Sequence, residues 1–301
     1  MLAPREEERS YYHYNPSVGA AGVFAALYTI AFIGTVAQWL RFRPVVWIVM
    51  VIASAMECIG YIARVVSTQD TTARTPYVLQ FSLLILAPVL MAGALYVLFG
   101  RIIFLIVPRE KRTFKICWVP PRWITPVFVG FDIIALLLQL VGAVMITSGN
   151  GNSQDDIDTF NRGRDLALGG VIVQIIAFGI FTIAAIRFNF TSKAFVKPAS
   201  HEPLHMHGEG DSTVSLQEKP KNENWQHLLR AVNFATIMIL IRSIYRMVEF
   251  TEGQTGYVNT HEWTFYVFDS VPIFPCVALF VWWHPSLFLP YMGLRLPVHA
   301  R

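Results

Sequence analysis

Seven long apolar stretches recur along this chain, each bounded by a short polar or proline-containing break. They predict spans over residues 18–40, 45–65, 77–106, 123–147, 166–188, 228–250 and 263–283. An uninterrupted apolar run of about 18 residues or more crosses the hydrocarbon core of a bilayer as a helix. The runs do not alternate, so the pattern excludes a β-barrel. Asn15-Pro16-Ser17 leads into the first span, Arg41-Phe42-Arg43-Pro44 makes a tight basic turn after it, and His284-Pro285 ends the last one. The predicted organisation is a tail (1–17), an all-α membrane domain of seven helices (18–285) and a second tail (286–301). Residues 148–164 read as a loop rich in Gly, Asn and Asp, and residues 189–226, rich in Lys, Glu, His and Ser, as a flexible loop.

Composition agrees with this pattern. Only 15% of the 301 residues are charged and 54% are hydrophobic, whereas roughly a quarter of a soluble domain is charged. The net charge of +4 resides mainly in loops beside spans and implies no nucleic-acid partner. Its distribution sets an orientation. The loops after spans one, three and five and the C-terminal tail carry 15 Lys and Arg, against 5 in the N-terminal tail and the other loops. Basic residues favour the cytoplasmic side, so the N-terminus is expected outside and the C-terminus in the cytoplasm. The Asn189-Phe190-Thr191 sequon then lies inside and is expected to be unmodified. Cys58, Cys117 and Cys276 all avoid the outside loops, so no structural disulfide is expected. The N-terminal segment lacks the features of a cleaved signal peptide, and the spans show no internal repeat.

The informative residues are the ionisable ones inside spans. They are Glu57, Arg64, Arg101, Asp132, Arg242, Arg246, Glu249 and Asp269, joined by the polar Gln80, Gln139 and Gln174. Such residues are expensive in a bilayer and face a bundle interior or a cavity. Glu57 and Arg64 are two helical turns apart on one face, and Arg242, Arg246 and Glu249 form one stripe on the sixth span. With the N-terminus outside, most of this charge falls in the outer half of the membrane. Glu57, Arg64, Gln80, Asp132, Arg242, Arg246, Glu249 and Asp269 are therefore candidate substrate-binding or translocation residues. The alternative is that they pair off and brace the helices. Pro88, Pro272 and Pro275 lie inside spans, where a proline removes a backbone hydrogen bond.

Several chemistries are absent from the pattern. There is no lysine inside a span, no phosphate-binding G-x-x-x-x-G-K-[ST] loop and no H-E-x-x-H. His201, His205 and His207 cluster in the long polar loop without the setting of a metal site, and no span carries a histidine in its interior. No cofactor, no metal and no enzymatic activity is expected.

The motifs resemble those of the fungal lipid-translocating exporter family, which includes aminocholesterol-resistance proteins and a sphingoid long-chain base release protein. Tyr14-Asn15-Pro16-Ser17 opens the match. Glu57-Cys58-Ile59-Gly60-Tyr61-Ile62-Ala63-Arg64 is similar to the family's E-x-x-G-Y-x-x-R. Gln80, Pro88, Asp132, Gln139, Gly142, Gly169-Gly170 and Gln174 follow in order. Arg242-Ser243-Ile244-Tyr245-Arg246-Met247-Val248-Glu249 matches R-S-x-[FY]-R-x-x-E, and His261-Glu262, Tyr266, Asp269, Pro272 and His284-Pro285 complete it. The resemblance implies a plasma-membrane transporter of amphipathic lipids such as sphingoid bases, with the bilayer and a lipid or amphipathic small molecule as partners. A seven-span lipid sensor or receptor is the alternative implied by the same topology.

Overall fold

The computed structural model describes residues 12, 14–107, 121–148, 154–192, 225–252 and 256–289. It contains seven helices long and apolar enough to cross a membrane, as the hydrophobic pattern predicts. We number the helices α1 (Val18–Phe42), α2 (Ile48–Gln69), α3 (Arg74–Ile106), α4 (Pro121–Ser148), α5 (Gln154–Thr191) and α6 (Trp225–Glu252). Short helices α7 (Tyr257–Thr260) and α8 (Glu262–Phe265) then precede a π-helical turn, Tyr266–Ser270, and α9 (Val271–Trp282). Together Glu262–Leu287 form the seventh span.

Local chemistry sets the boundaries. Ser17 caps α1, its hydroxyl accepting from the Ala20 amide at 3.3 Å. Arg43 ends α1 with φ 46°, its amide donating to the Trp39 carbonyl, and Pro44 prevents continuation. Between α2 and α3, the Asp70 carboxylate accepts from the Thr72 amide (3.1 Å) and hydroxyl (2.7 Å). Those bonds hold the Asp70 carboxyl below its ordinary pKa.

Helix α5 departs from expectation at both ends. It begins at Gln154, inside the stretch read as a loop, and runs to Thr191, through the sequon. Asp155 and Asp156 in its first turn favour a helix start through the dipole, a signal that hydropathy does not register. The expected flexible loop and His201, His205, His207 and Cys117 lie outside the described residues, apart from the helical residues at the loop's two ends.

Helix α3 has 33 residues, about 50 Å at 1.5 Å per residue, and so exceeds a 30 Å hydrocarbon core. It is the central helix, packing against α2, α4 and α6, with Leu95, Tyr96, Phe99 and Ile102 fully buried. Helices α4 and α5 form the closest pair, because two glycines let their backbones touch. A Cβ on Gly142 would lie 2.5 Å from the Gly163 carbonyl oxygen, and one on Gly170 would lie 2.7 Å from that of Ala135. Apolar side chains such as Ile30, Leu137, Ile176 and Ile183 point outward, as a lipid-facing surface requires.

Candidate functional site

A guanidinium or carboxyl at mid-membrane costs roughly 3 kcal/mol on insertion scales. The fold offsets this by bringing the charges of three elements together near the Tyr14 end of the bundle. The centre is Asp269, in the π-helical turn and only 2% exposed. Its Oδ1 accepts from Nε of Arg242 and, at 3.0 Å, from Nε of Arg246, whose Nη2 also lies 3.0 Å away in an ion pair. Arg246 Nη1 also donates to Glu249 Oε2 at 2.8 Å. The predicted stripe on α6 is thus one connected ion network. Glu249 keeps Oε1 without a partner among the described residues.

The proline in α3 explains the other end of Arg242. Pro88 has no N–H, so the Leu84 carbonyl loses its helical partner. Arg242 Nη2 donates to that carbonyl instead.

Arg64 belongs to a second, adjoining group. Its Nε donates to the Tyr266 hydroxyl (3.1 Å), and Nη2 donates to the Tyr14 hydroxyl (3.0 Å) and Glu262 Oε1 (3.4 Å). The guanidinium sits 4.1 Å from the Phe265 ring centroid, within cation–π range. Glu262 Oε2 accepts from the Ser17 amide at 2.8 Å, tying the start of α1 to the seventh span. Tyr14 precedes the first span; burial raises its phenol above the ordinary pKa, and the charge of Arg64 opposes that rise. Tyr12 enters the same region, donating to Ser67 (3.0 Å) and accepting from Gln80 Nε2 (2.5 Å). Glu262 and the tyrosines were absent from the site read from sequence, because tyrosine beside a span also serves as an interface anchor.

Between these groups lies a cleft of about 70 Å³ lined by Tyr12, Tyr14, Arg64, Tyr77, Gln80, Tyr245, Arg246, Glu249 and His261, among others. A second cavity of about 40 Å³ lies between α3, α4, α5 and α6, and Arg246 lines both. The candidate residues therefore separate into groups. Arg64, Gln80, Arg246 and Glu249 line the cleft, and Arg242 and Arg246 line the second cavity. Asp269 joins the arginines from behind. Glu57 is 2% exposed, lines neither space, and leaves Oε1 unpartnered among the described residues, although it lies within electrostatic range of Arg242 and Asp269. Glu57 and Arg64 share the buried face of α2, as their spacing predicts, but Arg64 pairs with Glu262.

Asp132 stands apart. It is 3% exposed on α4 and lines neither the cleft nor the second cavity. It faces the Tyr96 hydroxyl, but neither its oxygens nor that hydroxyl reach hydrogen-bonding geometry. Sequence separation hid this, since helix packing alone decides which polar faces meet.

The pattern of the RTA1-like proteins matches residues 50–292, including every one of these ionisable positions. The chain belongs to the RTA1-like family. Protein RTM1 of Saccharomyces cerevisiae is 32% identical over 226 residues, covering 75% of this chain and 63% of that protein. Protein RTA1 of the same species is 28% identical over 295 residues, covering 90% of this chain and 83% of its own. The S. cerevisiae protein named sphingoid long-chain base transporter RSB1 is 22% identical over 271 residues, 83% of this chain and 67% of its own. The match thus spans less than two thirds of RTM1. No solved structure matches the chain.

Proposed function

We propose that this RTA1-like protein is a plasma-membrane translocator of amphipathic lipids, and that the Arg64–Arg246–Glu249 cleft receives the headgroup. The observation that carries the reading is the placement of a polar cleft inside an apolar bundle, with Glu249 Oε1 unpartnered at its edge among the described residues. The network pairs three guanidinium groups (Arg64, Arg242, Arg246) with three carboxyls (Glu249, Glu262, Asp269). An ammonium such as that of a sphingoid base can pair with Glu249 at the cleft, and the tyrosines around it offer π faces. A space of about 70 Å³ takes a headgroup, not a whole lipid, so the hydrocarbon chain stays between helices or in the bilayer. The name of the RSB1 relative supports the same substrate class. The Lys and Arg bias supports an N-terminus outside, which puts the cleft in the outer half of the membrane.

Reconstitution into liposomes tests this. Purified protein is expected to accelerate movement of a labelled sphingoid base between leaflets, and Glu249→Gln is expected to abolish most of the gain. Equal rates with and without protein would overturn the assignment and favour a sensor.

A further inference from the structure

The second cavity has a composition unlike the cleft. Its walls are mainly apolar, with Pro88 and Val89 from α3, Val171 and Phe178 from α5, and Ile239 from α6. Five polar side chains interrupt them: Arg242, Arg246, Ser243, Gln139 and Gln174. Arg242 is 4% exposed, with Nε on Asp269 and Nη2 on the Leu84 carbonyl. Its Nη1 has no partner among the described residues. Gln139 Nε2 donates to Gln174 Oε1 at 3.0 Å across α4 and α5. That bond leaves the Gln174 amide N–H groups without a partner among the described residues. The chamber therefore presents two kinds of donor within hydrocarbon-like walls, with the Gln139 amide oxygen beside them.

We propose that this cavity is a second amphiphile site, which takes an uncharged hydrogen-bond acceptor at the polar end of a lipid. Arg242 Nη1 and the Gln174 amide donate to a hydroxyl oxygen or to an amide or ester carbonyl, and the apolar walls hold the adjoining methylenes. An anion fits less well, because the Arg242 charge is already paired with Asp269. Arg246 stands between this site and the cleft. Release of Arg246 from Asp269 and Glu249 joins the two spaces, which makes them successive stations for one lipid. The inference rests on the translocation reading for this ordering, but not for the existence of the site.

The test uses purified full-length protein in nanodiscs and two photoreactive probes, a sphingoid base and its N-acylated, uncharged counterpart. Specific labelling is the part suppressed by excess unreactive analogue, mapped by mass spectrometry. The acylated probe is expected to label α3 and α5 around Val89 and Phe178. The double substitution Gln139→Leu with Gln174→Leu is expected to cut that labelling about tenfold, the effect of roughly 1.4 kcal/mol. Val89→Trp, which fills the cavity, is expected to abolish it while leaving labelling of the cleft by the sphingoid base. Specific labelling confined to the cleft, or unchanged in both variants, overturns the proposal, as does no specific labelling by the acylated probe. Cavity labelling without lipid movement in liposomes supports the site and overturns the translocation reading.

Discussion

Arg242 of α6 donates to the carbonyl of Leu84 on α3, the carbonyl that Pro88 leaves without a helical partner. A break in one helix thus becomes the anchor for a charge on another. The arrangement makes the two residues energetically dependent. Arg242→Met leaves Asp269 without one of its partners and the Leu84 carbonyl unserved, and is expected to destabilise the bundle by about 3–5 kcal/mol. Pro88→Ala restores an N–H to Leu84. In the double variant the cost of Arg242→Met should fall by about 1 kcal/mol, the net value of one hydrogen bond. Thermal unfolding of the purified variants in detergent reads the coupling, and strict additivity would contradict it.

The glycine contacts of α4 and α5 make a sharp contrast. Gly170→Ala forces a methyl group to 2.7 Å from the Ala135 carbonyl oxygen, whereas Gly169 has nothing within 4 Å of the same position. Gly170→Ala is expected to destabilise by about 1–3 kcal/mol. Gly169→Ala is expected to be neutral or mildly stabilising, since alanine favours helix. Monodispersity and melting temperature after size-exclusion chromatography separate the two.

Asp132 gives the opposite expectation to the arginine network. It is buried with no hydrogen bond among the described residues, so Asp132→Leu removes a desolvated polar group of similar size. Stability should rise by about 1 kcal/mol. Sphingoid-base movement should continue. A variant that melts higher yet moves nothing would place Asp132 in the transport mechanism after all.

Orientation is open to direct chemistry. With Cys58, Cys117 and Cys276 replaced by serine, Thr71→Cys in the α2–α3 turn should react with a membrane-impermeant maleimide on intact cells. Arg41→Cys, at the far end of α1, should react only after permeabilisation. The reverse pattern would invert the topology.

Much of the fold was legible because hydrocarbon imposes a simple rule: a long apolar run must be a helix. The α6 stripe was equally legible, since Arg242, Arg246 and Glu249 are related by helical spacing alone. Contacts between distant segments were not. Nothing local in the sequence distinguishes Tyr14, which binds Arg64, from Tyr257, which lies exposed over His261. The partnership of Pro88 with Arg242 was hidden for the same reason, as a missing N–H announces a vacancy but not who fills it. The start of α5 was missed because its first turns are polar, and hydropathy is blind to helices that emerge from the membrane.

The π-helical turn at Tyr266–Ser270 carries Asp269 on a stretch wound wider than the α-helix on either side. A helix turns about 100° per residue. Tightening that stretch to α geometry would swing the upper part of the seventh span by about one residue's angle against α9. Asp269 would leave Arg242 and Arg246 in the same movement. These two cations of α6 thus depend on the winding of one turn, because Arg242 and Arg246 share the single oxygen Asp269 Oδ1.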